Sequence, residues 1–230
     1  MKTKTPLMLM AILLLMAPAV AAPHLRLVSL LPDPVVVEVA GESHLLKPRQ
    51  STEFFSPHPG VISLLVTAQG RQLHETRFGI SETARYTLVV FGSPDAPRPQ
   101  DTWTALKQMF EGEGTTHKLG YSVQCAILRD NAYTEKGKCY LRLFHGATGL
   151  VSVKLLEDDK TRTSADYGKT SEPVPLEPGN HHFTLETQDG HLPLLEVDLA
   201  PKEGEMTTIF VAEEQGTGLP YAFTSTVELR

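Results

Sequence analysis

Apolar residues in this chain alternate with polar ones over short runs, and turn residues cut the runs apart. The run HLRLVSL (His24 to Leu30) sets Arg26 on the face opposite Leu25 and Leu27. VVVEV (Val35 to Val39), VISLLVT (Val61 to Thr67) and YTLVVF (Tyr86 to Phe91) are β-branched or apolar stretches of strand length, bounded by Pro, Gly and Asp. Turn dipeptides recur at Pro59-Gly60, Gln69-Gly70, Pro178-Gly179 and Asp189-Gly190. Strands at roughly ten-residue spacing with such turns predict small antiparallel β-sandwiches rather than a parallel sheet wrapped in helices.

The pattern occurs twice. HLRL at His24 is matched by YLRL at Tyr140, with Arg26 opposite Arg142. VVVEV is matched by VSVKL (Val151 to Leu155), Gly60 by Gly179, Gly70 by Gly190, and RYTLVVFG (Arg85 to Gly92) by MTTIFVAE (Met206 to Glu213). Two copies of about 70 residues in one order predict two domains of one fold. The expected division is residues 23–93 for the first β-sandwich and 121–230 for the second, with a connector over 94–120. The connector opens on the proline-rich GSPDAPRPQ, then reads DTWTALKQMFEG. There a short helix is predicted over 101–111, with Trp103, Leu106 and Phe110 on one face and Gly112 at its end. That face is a candidate partner-binding anchor, because aromatic residues dominate binding hot spots; docking within the chain is the other reading of it. YSVQCAILRD (Tyr121 to Asp130) is expected to be a strand leading into the second domain.

Ahead of the first strand stands a different pattern. Lys2 and Lys4 precede an apolar run from Pro6 to Met16, and Ala19-Val20-Ala21 follows. This is the order of a secretory signal peptide over residues 1–22, cleaved after Ala21 or Ala22, with an apolar core shorter than a membrane span. The expected location is the periplasm. Without Lys2 and Lys4 the chain keeps 19 basic residues against 27 acidic ones, and its formal charge moves from -6 to -8. Such a balance argues against nucleic-acid binding through phosphate neutralisation and against an anionic membrane surface. The two cysteines, Cys125 and Cys139, form an even pair expected to make a disulfide in an oxidising compartment, with two free thiols as the alternative.

The stretch LEPGNHHFTLETQDG (Leu176 to Gly190) concentrates candidate chemistry. As a strand it puts His182, Thr184, Glu186 and Gln188 on a polar face and Phe183, Leu185 and Thr187 on the other. His181 and His182 then point to opposite faces, which disfavours chelation of one ion. Glu157-Asp158-Asp159 lacks the spacing of a calcium loop and reads as a solvated acidic turn. His145 reads as a strand-end residue. The nucleophile elbow, the P-loop and the dinucleotide fingerprint do not occur in the sequence. No metal, cofactor or catalytic residue is expected, and the chain is expected not to be an enzyme.

With HLRL and YLRL opening the two repeats, ARYTLVV (Ala84 to Val90) closing the first, and DLAPKEGEMTTIFVAEEQGTGLPYAFTSTVELR (Asp198 to Arg230) ending the chain, the sequence resembles the AlgF family of alginate O-acetylation accessory proteins. The Trp103 segment and the cysteine pair depart from the family pattern. The resemblance implies a non-catalytic periplasmic adaptor for O-acetylation of an exported polysaccharide. Its implied partners are a membrane-bound O-acyltransferase and SGNH-like periplasmic acetyltransferases; the polymer is alginate-like or cellulose. A carbohydrate-binding module and an acetyl carrier are the alternative functions.

Overall fold

The computed structural model describes residues 22–93, 122–130, 135–188, 193–214 and 217–229. Within them the chain is all β, as the alternation predicted. The signal segment and the predicted helix with Trp103, Leu106 and Phe110 lie outside the described residues.

The first half contains β1 (His24–Ser29), β2 (Val35–Val39), β3 (Glu42–Leu46), β4 (Gly60–Ala68), β5 (Arg71–Ile80), β6 (Arg85–Phe91) and β7 (Gln124–Arg129). One sheet has the order β1-β6-β7 and a second has the order β3-β2-β4-β5. The second half repeats the plan with β8 (Cys139–His145), β9 (Ser152–Glu157), β10 (Lys160–Asp166), β11 (Val174–Leu176), β12 (His181–Thr187), β13 (Pro193–Leu199), β14 (Glu205–Glu213) and β15 (Pro220–Glu228). Its sheets run β11-β8-β14-β15 and β10-β9-β12-β13. The part of β11 is played in the first half by isolated bridges from Ser51 and Phe55 to Val28 and Leu25.

Each half buries one core between its two sheets. Val35, Val37, Val39, Leu64 and Val66 face Leu25, Leu27 and Leu88 in the first. Val153, Leu155, Phe183 and Leu185 face Leu141, Leu143 and Ile209 in the second. The strands are antiparallel save for one pair in each half. The opening strand lies parallel to the closing one, β1 with β6 and β8 with β14, so that Arg26 stands beside Thr87 and Arg142 beside Thr208. A parallel pair needs a long crossover, and here the four intervening strands of the opposite sheet supply it.

Two expectations need correction. The strand over residues 124–129, expected to lead into the second domain, pairs along its length with β6 and completes the first half's inner sheet. It is the counterpart of β15, which pairs in the same way with β14. The expected disulfide is not formed: Cys125 and Cys139 are free thiols. Cys125 on β7 packs against the first core, whereas Cys139 on β8 is fully buried in the second. There its thiol points at the Leu176 and Glu177 carbonyls, 3.4 Å from each. A bridge demands sulfur atoms in contact, and two sandwiches' cores keep these apart. Burial pushes the Cys125 thiol up to about 12 and raises that of Cys139 as well, so both stay protonated and unreactive near neutrality.

The halves meet back to back through the outer faces of their inner sheets. A third apolar cluster lies there, with Val28, Val89, Phe91 and Leu128 from one half and Phe144, Phe210 and Ala212 from the other. Positions related by the repeat compensate in size. Val28 matches Phe144, Phe91 matches Ala212, and Ala126 matches Phe223, so bulk on one side fills a gap on the other. Gly146 is needed for this approach, since a Cβ there would stand 2.6 Å from the Leu30 side chain. The result is four stacked sheets, with the β3-β2-β4-β5 and β10-β9-β12-β13 sheets outermost.

Candidate functional site

The repeat itself points to the site, because the two halves differ sharply at one place. Along β2 and β4 the inward positions are Val35, Val37 and Val39 with Ile62, Leu64 and Val66, all buried. The matching inward positions of β9 and β12 are Val153, Leu155 and Glu157 with His181, Phe183 and Leu185. At the rim, therefore, the apolar pair Val39 and Ile62 is replaced by a carboxylate and an imidazole. Polar groups in a half-buried position are costly unless paired, so a substitution of this kind marks a place where function competes with packing.

The pairing is complete. His181 Nδ1 donates to Glu157 Oε1 at 2.6 Å, and Nε2 donates to the Glu177 carbonyl at 2.7 Å. A carbonyl only accepts, so Nε2 carries hydrogen, and a protonated ring donates from Nδ1 to the Glu157 carboxylate as well. Partial burial alone would lower the His181 pKa, but the bonds to Glu157 and Glu177 outweigh it and raise the value. Partial burial likewise pulls Glu157 up, and the bonds from His181 and Arg162 bring it below its ordinary value. Arg162 Nε reaches the second Glu157 oxygen at 2.7 Å. The His181 ring stacks on Phe183 with centroids 5.8 Å apart.

The β9–β10 turn beside this pair places Asp158 and Asp159 at φ 50° and 60°, matching Ala40 and Gly41 of the first half at 51° and 86°. Two positive φ values in a two-residue hairpin suit the strand twist, and aspartate tolerates them better than most residues. On the outward face His182 Nδ1 pairs with Asp198 Oδ1 at 2.8 Å, and that bond raises its pKa. Two grooves open here, of about 430 and 360 Å³, and both are bordered by Asn180, His181 and His182.

While its ring is protonated and held by two acceptors, His181 has no free nitrogen for proton abstraction or metal ligation. Among the described residues no group of three or more His, Cys, Asp and Glu is placed to hold a metal ion. The strand reading of His181 to Thr187 holds: Phe183 and Leu185 are fully buried and His182 is exposed. His145 does end its strand, yet it is fully buried, with Nε2 3.0 Å from the Leu150 carbonyl. Sequence reasoning missed the Glu157–His181 pair, which exists only through the β9–β12 register. The sequence match of VVVEV with VSVKL set Val39 opposite Leu155, whereas the hairpin turns and the strand register set it opposite Glu157, two residues on.

A pH dependence follows. Because the folded pKa of His181 is raised, its contribution is full below the unfolded value of about 6.5 and is lost as pH rises through the folded pKa. For Glu157, whose folded pKa is depressed, the contribution is full above about 4.5 and is lost as pH falls through the folded value. Urea unfolding at about pH 6 and about pH 8.5 should show the native chain losing more stability over that interval than His181→Gln does. Equal losses in both proteins would remove the imidazolium from the account.

No family model matches the chain, and no curated protein matches it. Among solved structures it is similar to a putative cell adhesion protein from Bacteroides uniformis ATCC 8492, with 7% identity, a TM-score of 0.27, and coverage of 86% of this chain and 91% of that one. A putative cell adhesion protein from Bacteroides ovatus ATCC 8483 overlays at 9% identity and a TM-score of 0.22, covering 91% of this chain and 99% of that one.

Proposed function

We propose that this chain is a non-catalytic, exported adaptor for O-acetylation of an alginate-like polysaccharide, holding a membrane-bound O-acyltransferase and an SGNH-like acetyltransferase together. The resemblance of the HLRL and YLRL repeats to the AlgF family supplies the pathway. The observation that carries the adaptor reading is the seam. It fixes two sandwiches back to back, so their outer sheets look in opposite directions and carry different chemistry. The first face displays Val36, Leu45 and Val61, with Leu45 64% and Val61 77% exposed. The second displays the ion pair of Lys154 and Glu186 and that of His182 and Asp198. Two unlike faces on one rigid body suit two unlike partners.

Co-purification of both partners with the intact chain tests the reading. Leu45→Glu with Val61→Lys should release one partner and keep the other, and His182→Ala with Asp198→Ala should do the reverse. Trp103→Ala with Phe110→Ala belongs in the same assay, as the sequence's own candidate anchor. Recovery of both partners with every variant, or turnover of an ester by the purified chain alone, would overturn the adaptor.

A further inference from the structure

The seam between the halves is built as a two-fold interface, and one of its two equivalent ends is electrostatically unfinished. Arg26 and Arg142 occupy the same place in the repeat and are 3% and 2% exposed. Each guanidinium uses Nε to reach the threonine of the neighbouring parallel strand, Thr87 at 2.7 Å and Thr208 at 3.2 Å. Each uses Nη1 to cross the seam to a main-chain carbonyl of the other half, Arg26 to Thr226 at 3.3 Å and Arg142 to Arg129 at 3.0 Å. The pairing registers make Arg129 and Thr226 equivalent, as they do the next residues, Asp130 and Val227.

Here the symmetry breaks. Asp130 takes Arg142 Nη2 at 2.7 Å and the Thr87 hydroxyl at 2.6 Å. At the other end stands Val227, which accepts nothing. Arg26 gains only the Ser225 hydroxyl, 2.7 Å from Nη1, and its Nη2 is buried without a partner. Two buried guanidinium groups thus share one carboxylate. The outer side of Arg26 is closed by the half-exposed ring of Phe54, whose centroid lies 5.3 Å from the Arg26 guanidinium and 5.7 Å from that of Arg85. Arg85 is already engaged, with Nη1 donating to the Glu228 carbonyl at 2.6 Å; for the Arg26 Nη2 side the π face of the ring is a weak substitute for a carboxylate.

We propose that Arg26 forms a carboxylate-binding site at this end of the seam, with Phe54 as its plug. A carboxylate entering as the ring swings aside takes the free Nη2 and supplies the charge that Asp130 supplies to Arg142. The ligand is a small carboxylic acid anion or a uronate unit of a polysaccharide; both present the same group. This inference does not depend on the adaptor reading.

Thermal unfolding with acetate, and separately with a uronic acid oligosaccharide, each against chloride at equal ionic strength, tests it. The native chain should be stabilised saturably by at least one of them, as binding to the folded state alone requires. Response to acetate alone identifies a free small acid, and tighter response to the oligosaccharide identifies the polymer. Phe54→Ala should strengthen the apparent affinity about tenfold by removing the plug. Arg26→Met should abolish the response. Val227→Asp, which supplies the missing carboxylate internally, should abolish it too while raising the starting stability, and it keeps the test decisive if Arg26→Met does not fold. Indifference of both the native chain and Phe54→Ala to both ligands, or an undiminished response in Val227→Asp, would overturn the site.

Discussion

Replacing Asp130 with alanine is expected to cost about 3–5 kcal/mol of folding stability, the range for removing one member of a buried ion pair. The residue is 1% exposed and is the carboxylate that Arg142 and Thr87 both contact. Its loss leaves the buried guanidinium groups of Arg26 and Arg142 without the carboxylate they share. Arg26→Met is expected to behave oppositely, at a change within about 1 kcal/mol, because it removes the surplus charge together with its orphaned nitrogen. Urea unfolding of the two variants measures both. A loss under about 1 kcal/mol for Asp130→Ala, or an equal loss for the two, would show that the seam charges are not in contact as described.

Phe144→Ala should cost a similar amount, about 3–5 kcal/mol, and should also change the form of the transition. Phe144 is fully buried at the seam, with its ring 5.3 Å from that of Phe91 and 6.1 Å from that of Phe210. Its repeat partner is the smaller Val28, so no side chain stands ready to fill the space. Each half has its own core, and this ring is a main element joining them. Calorimetry should therefore show the native chain's single transition separating into two. One sharp transition after the substitution, with little loss of enthalpy, would mean that the halves are coupled through something other than the aromatic seam.

What the sequence disclosed follows from what alternation encodes. Period-two patterning places each residue on a face, so the inward rows of both sandwiches and the surface position of His182 were legible, and so was the duplication. Alternation does not say what covers a face. Arg26 was correctly set opposite Leu25 and Leu27, but that face is covered by the other half instead of water. A lone arginine flanked by leucines gives no hint of Thr226 or Phe54, which arrive from distant parts of the chain. The fate of residues 124–129 was hidden for a related reason. Position along the chain suggested the second half, whereas an open edge on β6 claimed the strand. The Glu157–His181 pair needed a cross-strand register that only the folded sheet supplies.

The separation of the two thiols carries its own consequence. A chain whose cysteines sit in different cores needs no oxidant to reach its native state, and its fold is indifferent to the redox poise of the compartment it works in. Each sulfur becomes a private reporter: alkylation of Cys125 clocks the opening of the first sandwich and alkylation of Cys139 that of the second. Their two rates, measured on the unaltered polypeptide, reveal whether the fused pair breathes as one body or as two.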